Sequence, residues 1–251
     1  FLREGSAVSD FFNPDRIVIG GLSSEKIDKL KRLYENYDAQ VVITDPISSQ
    51  LIKYLANTYL PLRLSFVNEA TRLSDYSGAN LTDVLKGVGL DSRIGSHYFR
   101  PSPSWGGSCF PKDLVEVNNF YDHDKLNLPL ISSIISSNEV HLHWTINQLL
   151  SLKQNNSLKR IVLVGAAFKE DTDDLRNSPT LDIYNKLNEM GEGVLILDTE
   201  IEVPQYESVK QLEEVPPNSL LSIMYPLKEE LNMKISNYAK ENDCIIYYPW
   251  S

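Results

Sequence analysis

At residues 155–168, NNSLKRIVLVGAAF, the chain changes its hydrophobic period, and that change constrains the fold more than any other feature. The polar run NNSLK leads into RIVLVG, an apolar, β-branched stretch of strand length closed by a glycine. A loop follows, then the helical pattern SPTLDIYNKLNEMG with Ser178 placed as its cap. GVLILD (193–198), SLLSIM (219–224) and CIIYYP (244–249) read as further strands, with a helix near 228–241. Strands that alternate with helices predict a parallel sheet with crossover helices, an α/β, Rossmann-like domain over 155–251.

Upstream the pattern differs. RIVIGG (16–21) reads as a short buried strand ending in a glycine turn, and AQVVITD (39–45) as a second. Between them SSEKIDKLKRLYENY carries serine at the cap and apolar residues at Ile27, Leu30, Leu33 and Tyr34, a helix pattern. This β-α-β stretch is too short to bury a core of its own, so residues 1–45 look like the tail of an α/β domain. From Asp45 as cap and Pro46 in the first turn, a helical pattern runs to about Tyr76, with Leu51, Tyr54, Leu55, Leu62, Phe66 and Leu73 on its apolar face. Pro61 removes the bond to the Asn57 carbonyl and is predicted to bend that axis. Helical stretches at 80–88, 111–123 and 129–152 make residues 46–154 a mostly α central region.

The net charge of −10 argues against nucleic acid or an anionic membrane as the main partner, though a local pocket can still be basic. No apolar run approaches the roughly 20 residues that span a bilayer. Cys109 and Cys244 stand too far apart in sequence to suggest a disulfide framework or a metal spacing, and a cytoplasmic protein is expected. Cys244, within CIIYY, reads as a small buried hydrophobe. His97, His123, His141 and His143 form no metal constellation and read as structural or exposed. The chain opens on Phe1 with neither methionine nor signal-peptide pattern, which raises the expectation of a fragment.

SWGGSCFPKD (104–113) concentrates chemistry. Pro111 suits a first helical turn, which places the Cys109 thiol near a helix N-terminus, while Gly106 and Gly107 permit close backbone approach to a ligand. Lys112 and Asp113 add a cation and a carboxylate. A nucleophile beside an acid–base group and a tight loop with a half-buried cysteine both fit this spacing. Lys53 and Asn57, at i and i+4, share one helix face, either lining a polar pocket or forming a solvated edge. GAAFKEDTDDLRNSP (165–179) follows a strand directly, where open α/β sheets bind ligands. It lacks the GxGxxG dinucleotide fingerprint, yet Phe168 could stack on a base and Lys169 and Arg176 could meet phosphates.

Four blocks together resemble the UDP-glucose 6-dehydrogenase family, within the broader nucleotide-sugar dehydrogenases: FLREGSAVSDFFNPDRIVIG, IKYLANTYLPLRLSFVNE, DSRIGSHYFRPSPSWGGSCFPKD and GAAFKEDTDDLRNSPTLDI. They span residues 1 to about 183 in the family's order, while the last 60 or so residues fit only generally. The resemblance implies an NAD-binding Rossmann domain truncated to 1–45, a helical dimerisation domain at 46–154 and a UDP-sugar-binding domain at 155–251. It also implies an upstream glycine fingerprint and a general-base glutamate just before Phe1, neither of them in this chain.

The implied chemistry is oxidation of the sugar's carbon-six alcohol to a carboxylate with two NAD⁺, through a thiohemiacetal and a thioester on Cys109. Lys53 and Asn57 would stabilise the oxyanion, and Asp113 would position the base or water. By matched position, Phe1, Leu2, Arg3 and Glu4 would line the sugar, Glu4 at the cofactor boundary. Tyr98, Arg100, Ser102 and Gly106 would hold the uridine diphosphate, with Phe168 and Lys169 closing over it. Arg93 would reach the substrate from the other subunit of a homodimer, and Lys112 and Arg176 would face NAD. Two departures stand out: Pro61 interrupts the long helix, and YYPWS (247–251) stands where many members place a substrate-holding arginine beside the last strand. Two other readings remain open: a dehydrogenase of GDP-mannose or UDP-N-acetyl-mannosamine, and a non-catalytic nucleotide-binding or dimerisation module.

Overall fold

The computed structural model describes residues 2–120 and 126–250, in two compact units divided between Tyr59 and Leu60. Phe1 and His123 lie outside the described residues. The first unit contains α1 (Ala7–Phe12), β1 (Arg16–Gly20), α2 (Ser24–Leu33), β2 (Gln40–Thr44) and the start of α3 (Pro46–Ser77). β1 and β2 run parallel, in register from Arg16↔Gln40 to Gly20↔Thr44. Asp45 caps α3 as the sequence implies: its Oδ1 accepts from the Ile47 and Ser48 amides at 2.9 and 3.0 Å. Gly20 lets β1 end against that helix start, because a Cβ there would sit 2.1 Å from Ser49 Oγ. α1 escapes sequence reading: six residues with exposed Phe11 and Phe12 carry no periodic signal. α3 runs unbroken through Pro61, and the division between the units falls beside that residue.

The second unit continues α3 and adds α4 (Leu81–Gly89), α5 (Phe110–Phe120) and α6 (Pro129–Asn155) before its sheet. β3 (Arg160–Val164), α7 (Pro179–Glu189), β4 (Val194–Leu197), β5 (Ser208–Val209), β6 (Ser219–Ile223), α8 (Glu229–Glu241) and β7 (Ile245–Tyr247) follow. The sheet order is β5-β4-β3-β6-β7, and all its neighbours are parallel. The fold is therefore α/β, a helical region leading into a Rossmann-like parallel sheet.

Alternation along the strands builds two cores. Ile161 and Leu163 of β3, Ile196 of β4 and Leu220 of β6 pack with α6 and α7, through Ile146, Leu149, Ile183 and Leu187. Val162, Val164, Leu195, Leu197 and Leu221 pack on the other face with Ile235 and Ala239 of α8. With both faces covered, these strands read as continuous apolar runs rather than alternating ones. Cys244 packs at the edge of the second core, half-buried just before β7. The two-residue β5 has no comparable apolar run, and the sequence gives no sign of it.

Ser178 occupies the predicted cap position of α7 but does different work. Its hydroxyl donates to the Ala166 carbonyl at 2.6 Å, and Thr180 Oγ1 donates to Gly165 O at 2.8 Å. Both hydroxyls thus tie the helix start to the end of β3, and no side-chain cap bond forms at α7. Ser178→Ala is expected to cost about 1–3 kcal/mol by leaving a buried carbonyl without its donor. Ser178→Asp, an excellent cap elsewhere, is expected to cost at least as much, since its carboxylate would face that carbonyl. Urea unfolding of both variants checks this; a neutral Asp variant would mean the residue is an ordinary cap.

Candidate functional site

Residues 101–107 run extended ahead of α5, and all except Ser102 are buried. A buried segment without a strand partner must find other partners for its backbone polar groups. Asn68 on α3 accepts from Ser102 N at 3.0 Å and donates to Ser102 Oγ at 3.3 Å. On α6, His141 Nε2 donates to Ser102 O at 2.8 Å and Thr145 Oγ1 to Pro103 O at 2.9 Å. Asn138 bonds both backbone groups of Trp105, each at 2.9 Å, while Trp105 Nε1 donates to Ser65 Oγ.

The glycine pair then meets the loop between β3 and α7. A Cβ on Gly106 would fall 1.8 Å from Asn177 O. Gly107, at φ +88°, lies against the Phe168 ring, which a Cβ would approach to 2.8 Å. Asn177 Nδ2 donates to Gly107 O at 3.1 Å, and Gly107 N returns a bond to Asn177 O at 3.4 Å. What both glycines approach within the protein is thus the loop that follows β3.

Cys109 emerges from this buried segment exposed, at the N-terminal end of α5, with Ser108 Oγ 3.7 Å from its sulfur. The Asp113 amide donates to Cys109 O at 2.9 Å. A helix N-terminus favours negative charge, so the position suits a nucleophile that becomes anionic. Asp113 itself is buried, and the largely exposed Lys112 Nζ lies 3.7 Å from its Oδ1.

A cleft opens at the carboxyl end of β3, where Arg100, Ser102, Phe168, Lys169, Tyr225 and Trp250 meet. Lys169 Nζ lies 5.6 Å from the Phe168 ring centroid. Arg100 pairs with Glu170 at 3.4 Å and rests over the Trp250 ring at 5.7 Å. Burial and the nearby Asp198 push the Tyr225 phenol well above its ordinary value. Arg100, Ser102, Phe168 and Lys169, all expected at a nucleotide site, are therefore brought together. Gly106 does not line the cleft; it packs against Asn177 in the loop after β3.

Other expected residues make local contacts. Arg176 is bidentate to Asp174 at 2.8 and 2.7 Å, and this pairing holds the Asp174 carboxyl below its usual range. Arg93 folds back on Asp91 in the same manner at 3.0 and 2.6 Å, and Tyr98 sits exposed at φ +53°. Leu2, Arg3 and Glu4 precede α1 in the first unit, where Arg3 pairs with Asp10 at 2.5 Å. Lys53 and Asn57 share a face of α3 in the first unit, both half-buried, with Lys53 Nζ 5.3 Å from the Tyr54 ring. Sequence reading missed Asn68, Asn138, Asn177, Tyr225 and Trp250, while His141, expected to be structural or exposed, is structural and buried. The only signal for Asn177 is a polar residue just before a helix start, in a loop already singled out.

Among the described residues, no group of His, Cys, Asp and Glu is arranged to hold a metal ion, and no helix is long and apolar enough to cross a membrane. His97 and His143 are exposed. In the first unit, Gly20 packs against Ser49, and Ser23 caps α2.

This architecture, a helical region leading into a parallel α/β sheet with a cleft at its carboxyl edge, defines the class of nucleotide-binding α/β proteins. Residues 1–38, 47–140 and 162–246 match, respectively, the NAD binding, central and UDP binding domains of the UDP-glucose/GDP-mannose dehydrogenase family. The chain belongs to that family. It is 38% identical over 191 residues to a UDP-glucose 6-dehydrogenase of Rickettsia felis, covering 74% of this chain and 43% of that protein. To UDP-glucose 6-dehydrogenase TuaD of Bacillus subtilis it is 35% identical over 209 residues, covering 83% and 45%. A UDP-glucose dehydrogenase structure from Pyrobaculum islandicum superposes with a TM-score of 0.80 at 32% identity, over 90% of this chain and 54% of that one. The chain thus spans less than half the length of these two curated relatives.

Two outcomes test the geometry. Burial, with Arg72 nearby, lowers His141 to about 4, so the folded protein holds a neutral imidazole. The sign follows: the unfolded chain takes up this proton near 6.5 and the folded chain only near 4, so stability is full above about 6.5 and falls between the two. Urea midpoints measured from pH 7 to 4 should show a loss of order 3 kcal/mol that His141→Gln flattens. Gly107→Ala, which forces a left-handed side chain onto Phe168, should cost about 1–3 kcal/mol in the same assay.

Proposed function

We propose that this chain carries the substrate-binding and dimerisation parts of an NAD-dependent nucleotide-sugar dehydrogenase, an enzyme that oxidises UDP-glucose to UDP-glucuronate. The observation that carries this is the cleft at the end of β3, where Arg100, Ser102, Phe168 and Lys169 converge inside a match to a UDP binding domain. A ring for the base and cations for the diphosphate are what such a ligand requires. Tyr98 and Gly106 complete the nucleotide set in this reading. The functional parts are a piece of the NAD-binding domain at 1–45, a dimerisation domain at 46–154 and the UDP-sugar domain at 155–251.

Cys109 is the nucleophile that adds to the sugar's carbon-six aldehyde, its exposure and its place at the start of α5 both suiting attack on a bound carbonyl. Lys53 and Asn57 stabilise the oxyanion formed, and Asp113 orients the base or water. NAD is the oxidant. Glu4, Lys112 and Arg176 are the residues here assigned to its side, while the dinucleotide cradle itself is not among the described residues. Phe1, Leu2, Arg3 and Glu4 border the sugar, and Arg93 serves the partner's site in a homodimer. The cytoplasm is the expected compartment.

A dehydrogenase acting on GDP-mannose or UDP-N-acetyl-mannosamine is the second reading, favoured by the breadth of the family matched. Calorimetric titration of this chain with UDP-glucose, UDP and GDP-mannose separates the two. Uridine ligands should bind at least tenfold tighter than GDP-mannose, and Lys169→Ala should weaken them roughly tenfold, the loss of one charge-assisted contact. Preference for GDP-mannose would overturn the UDP-glucose assignment.

A further inference from the structure

Trp250 occupies the stretch after the last strand where the family resemblance leads one to expect a substrate-holding arginine. Its indole Nε1 donates to the Ile223 carbonyl at the end of β6, at 2.8 Å, and its ring meets Tyr248 edge-on at 5.2 Å. Held at both points, the ring forms one wall of the cleft and carries the Arg100 guanidinium 5.7 Å from its centre. Arg100 comes from the segment before Cys109, on the far side of the cleft in sequence. Its only other recorded partner among the described residues is Glu170 at 3.4 Å. A ring face holds a cation in place without cancelling its charge, whereas a carboxylate does cancel it.

We propose that Trp250 is a positioning residue for anion recognition: it holds Arg100 at the cleft, so that the charge on Arg100 meets the diphosphate of a nucleoside diphosphate in exchange for Glu170. This rests on the proposed uridine diphosphate site and names the residue that orients its cation. The positive charge is supplied by Arg100 from the central segment, and the last strand contributes the aromatic platform that orients it. The consequence is specific. Removing the ring should weaken ligands through their phosphates and leave a ligand without phosphates untouched.

The test is titration of this chain with UDP and with uridine, for wild type, Arg100→Ala, Trp250→Leu, Trp250→Phe and the Arg100→Ala/Trp250→Leu double variant, each first checked by thermal unfolding. Trp250→Leu should weaken UDP about three- to tenfold, the range of a partly desolvated cation–π contact, with uridine unchanged. Trp250→Phe, which keeps a ring, should stay within about twofold of wild type, and it remains informative if the leucine variant unfolds. The double variant should lose no more than Arg100→Ala alone, because both changes remove one interaction. Equal UDP affinity in wild type and Trp250→Leu, a loss in Trp250→Phe as large as in Arg100→Ala, additive losses, or an equal loss for uridine would each overturn the proposal. Failure of wild type to bind UDP at all would instead overturn the uridine diphosphate reading on which it rests.

Discussion

A buried backbone segment with no strand to pair with is the constraint on which the second unit's site depends. Residues 101–107 cannot leave their amides and carbonyls unsatisfied, since each orphaned buried group costs about 1–3 kcal/mol. Here side chains meet groups of Ser102, Pro103, Trp105 and Gly107: Asn68 from α3, Asn138, His141 and Thr145 from α6, and Asn177 from the loop after β3. Two helices and a loop are thereby fixed to a stretch that has no regular structure of its own. The chain then turns from buried Gly107 to exposed Cys109 within two residues. A side chain on a loop is placed imprecisely unless the loop is clamped, and here the clamp lies just before Cys109 in the chain.

The same requirement explains the character of α6. Asn138, His141 and Thr145 stand at i, i+3 and i+7, one polar stripe on a helix whose Ile146 and Leu149 are buried in the sheet core. His141 uses one nitrogen on Ser102 and keeps the other without a hydrogen-bond partner, and its burial keeps the imidazole neutral. Gly106 and Gly107 then bring the β3–α7 loop against the segment at distances that no side chain would permit. Phe168 thus serves two surfaces, against Gly107 and as a wall of the cleft.

Most of the sheet was legible from the sequence because strands buried on both faces write themselves as apolar runs, as RIVLV and SLLSI do. β5 and α1, at two and six residues, are too short to carry a period. Four residues that line the cleft, Phe168, Lys169, Arg100 and Ser102, stood out in the sequence because they lie close to a strand end or to the cysteine loop. The clamp did not. Asn68 and Asn138 lie within helices, where a lone amide looks like any solvated polar position until tertiary contact gives it a backbone to bond. Ser178 shows the converse, a correct position with a different use, because the cap signal and a tie to the preceding strand look identical in one dimension.

An acidic chain still presents cations at the cleft, and what differs is how each is held. Arg93 and Arg176 are bidentate to Asp91 and Asp174 within their own turns. At the cleft, Arg100 and Lys169 rest on the faces of Trp250 and Phe168, Arg100 while also pairing with Glu170 at 3.4 Å. With a net charge of −10, exposed cations elsewhere on the surface find carboxylates readily, as Lys29, Lys210 and Lys234 do. An aromatic face holds a cation without neutralising it, so in the proposed reading Trp250 keeps the charge of Arg100 in place to be used.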